Sequence, residues 1–208
     1  LTCPEKQKCN FYFDLASDPG LKALYLDNER YDGYYRDQSV WRPSPDIEDT
    51  MNVMVRYDNG AHLNYALSAY DAWEGYHIAF NGTKGRIEHR IVESGGAAGA
   101  AKVQSGSESV STRVIPMRGQ PRDIEPIIGK GSHGGGDDVM LTEIFGEGPA
   151  DKYKRASDER AGAWSALVGI AANKCFETGQ TVRIAALVTG LAPPDRAPVP
   201  DRRAPLPL

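Results

Sequence analysis

Hydrophobic positions recur along this chain with two different periods. Over residues 51–57 they alternate, with Met51, Val53, Val55 and Tyr57 on one side and Asn52, Met54 and Arg56 on the other, which is the period-two signature of a strand. Asp58-Asn59-Gly60 is a hairpin turn signal. Residues 62–70 then alternate again, with Leu63, Tyr65, Leu67 and Ala69 on one face, so these two strands are expected to pair antiparallel. A third strand over residues 76–80 leads through Asn81-Gly82-Thr83-Lys84-Gly85 into a fourth over 86–92. All four are expected in one sheet. Residues 112–117 read as a further strand rejoining it, and residues 181–188 as a last one.

The other period is helical. Residues 18–27 open on a capping Asp18 with Pro19 at the first helical position, and Leu21, Leu24 and Tyr25 follow at helix spacing. A glycine-rich loop over residues 129–136 precedes a helix over 137–145, carried by Val139, Met140 and Ile144, which Asp137 or Asp138 can cap. The longest helix is expected over residues 157–178, with Ser157 as its cap, Asp158 and Glu159 in its first turn and Gly179 as its stop. Its apolar face is Trp164, Leu167, Val168, Ala171 and Cys175. Residues 94–111 are poor in large side chains and read as a surface excursion. Residues 193–207 carry too much proline for sheet or helix and read as a tail or an arm. Antiparallel strands with helices before and after them place the chain in the α+β class.

Composition narrows the function. At 208 residues the chain is expected to form one domain, residues 1–192, with a Pro-rich tail over 193–208. No apolar run approaches the roughly 18 residues of a membrane span, so no membrane partner is expected. The net charge of -4 with scattered basic residues lacks the basic stripe of a nucleic-acid binder. Ten Tyr and three Trp are a generous supply of rings suited to the faces of sugars. The opening LTCPEKQKCN has no charged start followed by an apolar stretch, so it shows no signal peptide and reads as cut from a longer protein. Cys3 and Cys9 lack two further ligand-type neighbours for a closed zinc site. They and Cys175 are expected as free thiols with no metal bound, a local disulfide between Cys3 and Cys9 being the alternative.

Two glycine clusters invite a nucleotide reading and fail it. Ser94-Gly95-Gly96-Ala97-Ala98-Gly99 begins on Ser and precedes no helical period, and Gly129-Lys130 has Ile124 where a phosphate loop needs its first glycine. Gly131-Ser132-His133-Gly134-Gly135-Gly136-Asp137 is the informative cluster. It sets an imidazole and a carboxylate four residues apart on a backbone free to approach a ligand. The same residues also fit a solvated turn in which Asp137 only caps the next helix. Tyr34, Tyr35, Tyr70 and Trp73 could pave a sugar pocket, but rings at sheet positions more often serve a core or a dimer surface. Arg42 could bind a substrate hydroxyl or carboxylate, though an arginine so placed more often makes a surface ion pair. His62 and His77 read as structural strand residues, and His89 as pointing outward.

The stretch RPSPDIEDTMNVMVRYDNGAHLNYALSAYDAWEGYHIAFNGTKGRIE over residues 42–88, then GSHGGGDD, then DERAGAWSALVGIAANKCFETGQTVRI, resembles the C-terminal domain of the glucose-fructose oxidoreductase, inositol dehydrogenase and MocA family. The likeness runs over residues 3–188. It implies an open-faced, mainly antiparallel sheet with helices packed on one face, in a protein whose separate N-terminal Rossmann domain, absent from this chain, binds NAD or NADP. It implies a sugar, cyclitol or polyol as substrate and homo-oligomers paired through the sheet face. His133 and Asp137 match pocket positions of the family and are the expected catalytic pair, with Arg42, Tyr70 and Trp73 as substrate-binding candidates and no cofactor-binding residue in the chain. The family's catalytic lysine in Glu-Lys-Pro belongs to the other domain, since Glu5-Lys6 here is followed by Gln7. A branch with His-Gly-Gly-x-Asp hydrolyses glycosides by way of tightly held NAD, so an NAD-dependent glycoside hydrolase is the rival enzyme. A non-catalytic carbohydrate-binding or scaffolding domain is the reading from another class.

Overall fold

A computed structural model of the chain describes residues 3–71, 74–94, 110–126, 129–130, 132–146, 151 and 156–194. Most of the expected excursion over residues 94–111 and of the tail over 193–208 lies outside the described residues, as does Trp73. The described part combines helices with open antiparallel sheets, which is the α+β class. Two units separate within it, Leu1–Met51 with Ala66–Ile128 and Asn52–Tyr65 with Gly129–Leu208.

The first helix, α1 (Pro19–Leu24), forms where its cap predicts. Asp18 Oδ1 accepts from the backbone N–H groups of Gly20 and Leu21 at 2.8 and 2.9 Å, satisfying two of the donors that a helix start leaves unpaired. A 3-10 turn (Leu26–Asn28) and a one-turn helix α2 (Glu29–Asp32) follow, stopped at Gly33 with φ 68°. The sequence pattern missed α2 because four residues are too few to show a period.

Strands β1 (Thr50–Arg56) and β2 (His62–Ser68) pair through the expected Asp58-Asn59-Gly60 turn, where Asn59 Oδ1 accepts from Ala61 N and Gly60 has φ 86°. In β1 the half-buried residues are Met51, Val53 and Val55, in the predicted alternation. The hairpin is a sheet of its own. Four further strands, β3 (Glu74–Gly82), β4 (Gly85–Ser94), β5 (Val110–Pro116) and β6 (Arg122–Ile124), form a second sheet in that order. The expected single sheet through the first four strands is therefore two sheets. Alternation marks a strand but carries no information about which neighbour it pairs with. Gly85 has φ 154°, and a β-carbon there would collide with the carbonyl oxygen of Ile115, so the β3–β4 turn closes against β5 only with glycine at this position.

The register sorts the four-stranded sheet into two unlike faces. Tyr76, Ile78 and Phe80 stand beside Ile91, His89 and Ile87, which stand beside Val110, Thr112 and Val114. His89 thus belongs to the apolar face instead of pointing away from it, and its Nδ1 lies 2.7 Å from Thr112 Oγ1. On the other face His77, Glu88 and Arg86 are followed across the sheet by Arg113 and Asp123. Arg86 Nε is 2.7 Å from Glu88 Oε1. The hydrogen bond from Arg86, with the nearby charges of Arg86, His77 and Arg113, holds the Glu88 carboxyl below its usual range despite some desolvation.

Helix α3 (Gly136–Phe145) occupies the expected place, but its N-cap is Gly135 and no side chain caps it. Asp137 and Asp138 lie inside the first turn instead. Helix α4 (Glu159–Thr178) starts one residue later than expected, its cap being Asp158 in place of Ser157. Asp158 Oδ1 accepts from Ala161 N at 2.8 Å while Oδ2 takes Nε and Nη2 of Arg160. Those bonds, with that to Ala161 first, lower the Asp158 carboxyl below its usual range. Gly179, at φ 66°, stops the helix as read. On the predicted apolar face Ala171 is buried and Trp164, Leu167, Val168 and Cys175 are half-buried. Trp164 also donates its Nε1–H to the carbonyl of Ala192 at 3.0 Å, so this ring both packs and ties down the segment after the helix. The expected last strand over 181–188 is a 3-10 turn (Ile184–Ala186) among irregular residues, because no described strand edge is paired with it.

Both lowered carboxyls favour the folded state above the usual carboxylate range, and this contribution is lost as pH falls through that range toward their lower folded values. Glu88→Gln and Asp158→Asn should each flatten the decline of Tm between about pH 5 and pH 2. Melting curves across that window check it. A decline as steep as in the wild type would show that neither carboxyl contributes.

Candidate functional site

Glycine governs the loop before α3. A β-carbon on Gly129 would overlap the carbonyl oxygen of Gly134, and one on Gly135 would lie 3.1 Å from the carbonyl oxygen of Lys130. The backbone at 129–130 therefore lies directly against 134–135. Between these points the chain runs left-handed through three residues, His133 (φ 49°, ψ 39°), Gly134 (φ 65°, ψ 27°) and Gly135 (φ 83°, ψ 2°), before entering α3. Among the described residues His133 is the one non-glycine with positive φ. That conformation costs a residue with a β-carbon roughly 1–2 kcal/mol.

The turn brings His133 onto Asp137 one helical turn ahead. Nδ1 lies 2.9 Å from Oδ2 and 3.0 Å from Oδ1. The imidazole is 82% exposed and the carboxylate 40%. Exposed pairs of this kind contribute between zero and about 1 kcal/mol, so the contact does not offset the strain that creates it. What it does fix is the proton. An ionised carboxylate only accepts, so the ring hydrogen sits on Nδ1 and the lone pair of the neutral ring is on Nε2, which the high exposure leaves open to a ligand. The alternative in which Asp137 merely caps α3 is not what the geometry shows, since Asp137 bonds the imidazole and the cap is Gly135.

The other expected site residues belong to the first unit. Tyr70 is half-buried and packs with two rings that the sequence reading did not assign to the site, Trp41 at 4.8 Å and Phe11 at 5.5 Å between centroids. Arg42 donates from Nε to Ser44 Oγ at 2.8 Å and from Nη1 to the carbonyl of Ser39 at 3.0 Å. The expected ion pair is not what holds it. Tyr34 contacts Tyr25 at 6.2 Å in a separate cluster with Arg36 stacked on Tyr25. Phe11 and Trp41 were missed because 30 and 29 residues separate the successive members of this trio, and no local spacing announces such a contact. Cys3, Cys9 and Cys175 are free thiols. Among the described residues no three His, Cys, Asp or Glu side chains gather as a metal site would require, and no helix is long and apolar enough to cross a membrane.

The Gly129 contact makes a direct prediction. Gly129→Ala should force the two loop segments apart and release the left-handed turn. Amide hydrogen exchange over residues 132–137 should rise at least about ten-fold while α4 keeps its protection. Unchanged exchange there would show that the close approach does not support the turn.

Comparison with known proteins agrees with this architecture. Residues 22–184 match the oxidoreductase family C-terminal alpha/beta domain. The chain is 31% identical over 176 residues to a Bacillus subtilis (strain 168) protein named "Putative oxidoreductase YteT", an overlap of 81% of this chain and 40% of that relative. It thus spans about two fifths of the length of the curated relative it matches. No solved structure matches it. With the family match covering most of the chain, including both sheets, the His133 turn and helix α4, this protein belongs to the oxidoreductase family through its C-terminal alpha/beta domain.

Proposed function

We propose that the chain is the substrate-binding and oligomerisation half of an NAD(P)-dependent oxidoreductase acting on a hydroxyl of a sugar, cyclitol or polyol. The observation that carries this reading is the His133–Asp137 pair, a strained and exposed imidazole whose Nε2 is left open by the carboxylate on Nδ1. In that role Nε2 takes the proton of the substrate hydroxyl, and Asp137 holds the tautomer and stabilises the imidazolium that results. Arg42 and the ring of Tyr70 are the substrate-binding candidates in the first unit, with Trp73 the third.

The dinucleotide is assigned to a part of the protein outside this chain. The residues present do not fit it. The glycine-rich loop here enters α3 with Asp137 and Asp138 in the first turn, which sets two carboxylates where a pyrophosphate needs bare N–H donors. Oxidoreductase family membership and the share of the relative that the chain spans both agree with a second domain carrying the cofactor.

In the full-length enzyme, His133→Ala should lower turnover by roughly 10²-fold or more with saturating cofactor and substrate, the usual range for losing a general acid or base. Asp137→Asn should also lower it, since the amide keeps the shape but removes the charge facing the imidazolium. Both variants should melt near the wild-type temperature. Turnover unchanged in His133→Ala would return the loop to a glycine-rich turn ahead of a helix. Release of aglycone from glycosides without net NADH would favour the hydrolase.

Assembly through the four-stranded sheet is the second part of the proposal. Tyr76, Ile78 and Phe80 on its edge strand are 42%, 43% and 61% exposed on the apolar face, an arrangement suited to a second copy. Phe80→Asp is expected to shift the protein toward monomer in sedimentation analysis without loss of its circular dichroism. A wild-type chain that stays monomeric at high concentration would rule this face out as a self-association surface.

A further inference from the structure

We propose that Trp41 is the platform of a pyranose-binding subsite in the first unit, with Arg42 as its hydrogen-bonding edge. The inference rests on the sugar reading above but on none of the His133 geometry. Three rings from remote positions converge there, with Phe11 set edge-on to Trp41 at 5.3 Å and to Tyr70 at 5.5 Å, and Tyr70 tilted 30° to Trp41 at 4.8 Å. A small hydrophobic core built from such a trio would bury its largest ring most. The opposite holds, for Phe11 and Tyr70 are half-buried and the indole is 58% exposed. Two rings support the third and present it to solvent.

The backbone carrying the indole is fixed as well. Ser39 Oγ accepts from Trp41 N at 3.2 Å, and the Ser39 carbonyl accepts from Arg42 N at 3.3 Å, which closes a tight turn over Ser39–Arg42. The guanidinium next to the indole is held by that same carbonyl and by Ser44 Oγ, so Nε and one N–H of Nη1 are engaged while Nη2 has donors to offer. Both acceptors are neutral and leave the cationic charge in place. A pre-ordered aromatic face beside outward-facing N–H donors matches a pyranose, whose axial C–H groups lie on a π face while its ring-edge hydroxyls accept hydrogen bonds. Ordering the indole and the guanidinium before binding reduces the entropy lost on contact.

The indole N–H signals of the chain in a 1H–15N NMR titration test this, using methyl glycosides of glucose, galactose, mannose and xylose together with glucuronate, and glycerol as a ringless polyol. The Trp41 signal is assigned by its loss in Trp41→Phe. At least one pyranose should shift it saturably, glycerol at equal hydroxyl concentration should not, and the Trp164 signal, already bonded to Ala192, should stay in place. Read from the backbone amide signals of residues 39–44, Trp41→Phe should keep binding within a few-fold, Trp41→Ala should weaken it at least about ten-fold, and Arg42→Gln should weaken it less. A Trp41 signal unmoved by every pyranose, an equal response to glycerol, or full affinity in a folded Trp41→Ala chain would overturn the subsite. Should Trp41→Ala not fold, the backbone amide signals of residues 39–44 in Trp41→Phe and the Trp41 indole signal in Arg42→Gln decide it, since a purely structural trio gives no saturable shift in either. Unchanged turnover in His133→Ala with the Trp41 shift intact would sink the catalytic role of His133 and spare this subsite, whereas no turnover of any sugar or polyol by the wild-type enzyme with the Trp41 shift intact would sink the oxidoreductase reading alone.

Discussion

The backbone of Gly129 lies so close to the carbonyl of Gly134 that no β-carbon fits between them, and the candidate catalytic geometry depends on that contact. Because the two segments touch, the chain must reverse within a few residues. It does so by running left-handed through His133, Gly134 and Gly135, which turns the imidazole back over the first turn of α3 and onto Asp137. Helix and turn each impose the other. Had Asp137 itself capped α3, its carboxylate would be engaged with backbone donors and the imidazole would lack the partner that sets its tautomer.

The same economy of means organises the four-stranded sheet. A two-residue turn at Thr83-Lys84 and the glycine at 85 set the register of β3 on β4, and the register alone decides which side chains share a face. The result is one face of Tyr, Ile, Phe and Val with His89 among them, and an opposite face on which Arg86 pairs with Glu88 along β4 and Arg113 with Asp123 across β5 and β6. The apolar side carries the exposed rings and aliphatic side chains of the edge strand, and it is the face proposed for self-association.

The parts of this protein that were legible in its sequence are those governed by near neighbours. Alternation located β1 to β5, Asp18 and Gly179 marked helix ends, and the four-residue spacing of His133 and Asp137 singled out the pair that meets in space. Each rests on a local rule, the pleat of a strand, an unpaired helix terminus or the pitch of one turn. The choice of Asp158 over Ser157 as cap fell to Arg160, which draws the Asp158 carboxylate into place from two residues away. The misassigned strand over 181–188 had the right alternation and no partner.

Only the tertiary structure decided what depends on distant parts of the chain meeting. Strand alternation is the same whether β2 pairs with β1 alone or with β3 as well, so the division into two sheets is invisible to it. Phe11, Trp41 and Tyr70 have no common period, and their assembly follows from where three loops are carried by the fold. The left-handed conformation of His133 is likewise set by a backbone contact across the loop and not by histidine itself. The sequence by itself determined the secondary elements and the chemistry each carries, because these follow from bonds and neighbours within a turn or a pleat. Which faces were exposed, which rings met and which proton position His133 holds were decided by tertiary structure, because burial, stacking and strain exist only once remote segments occupy the same space.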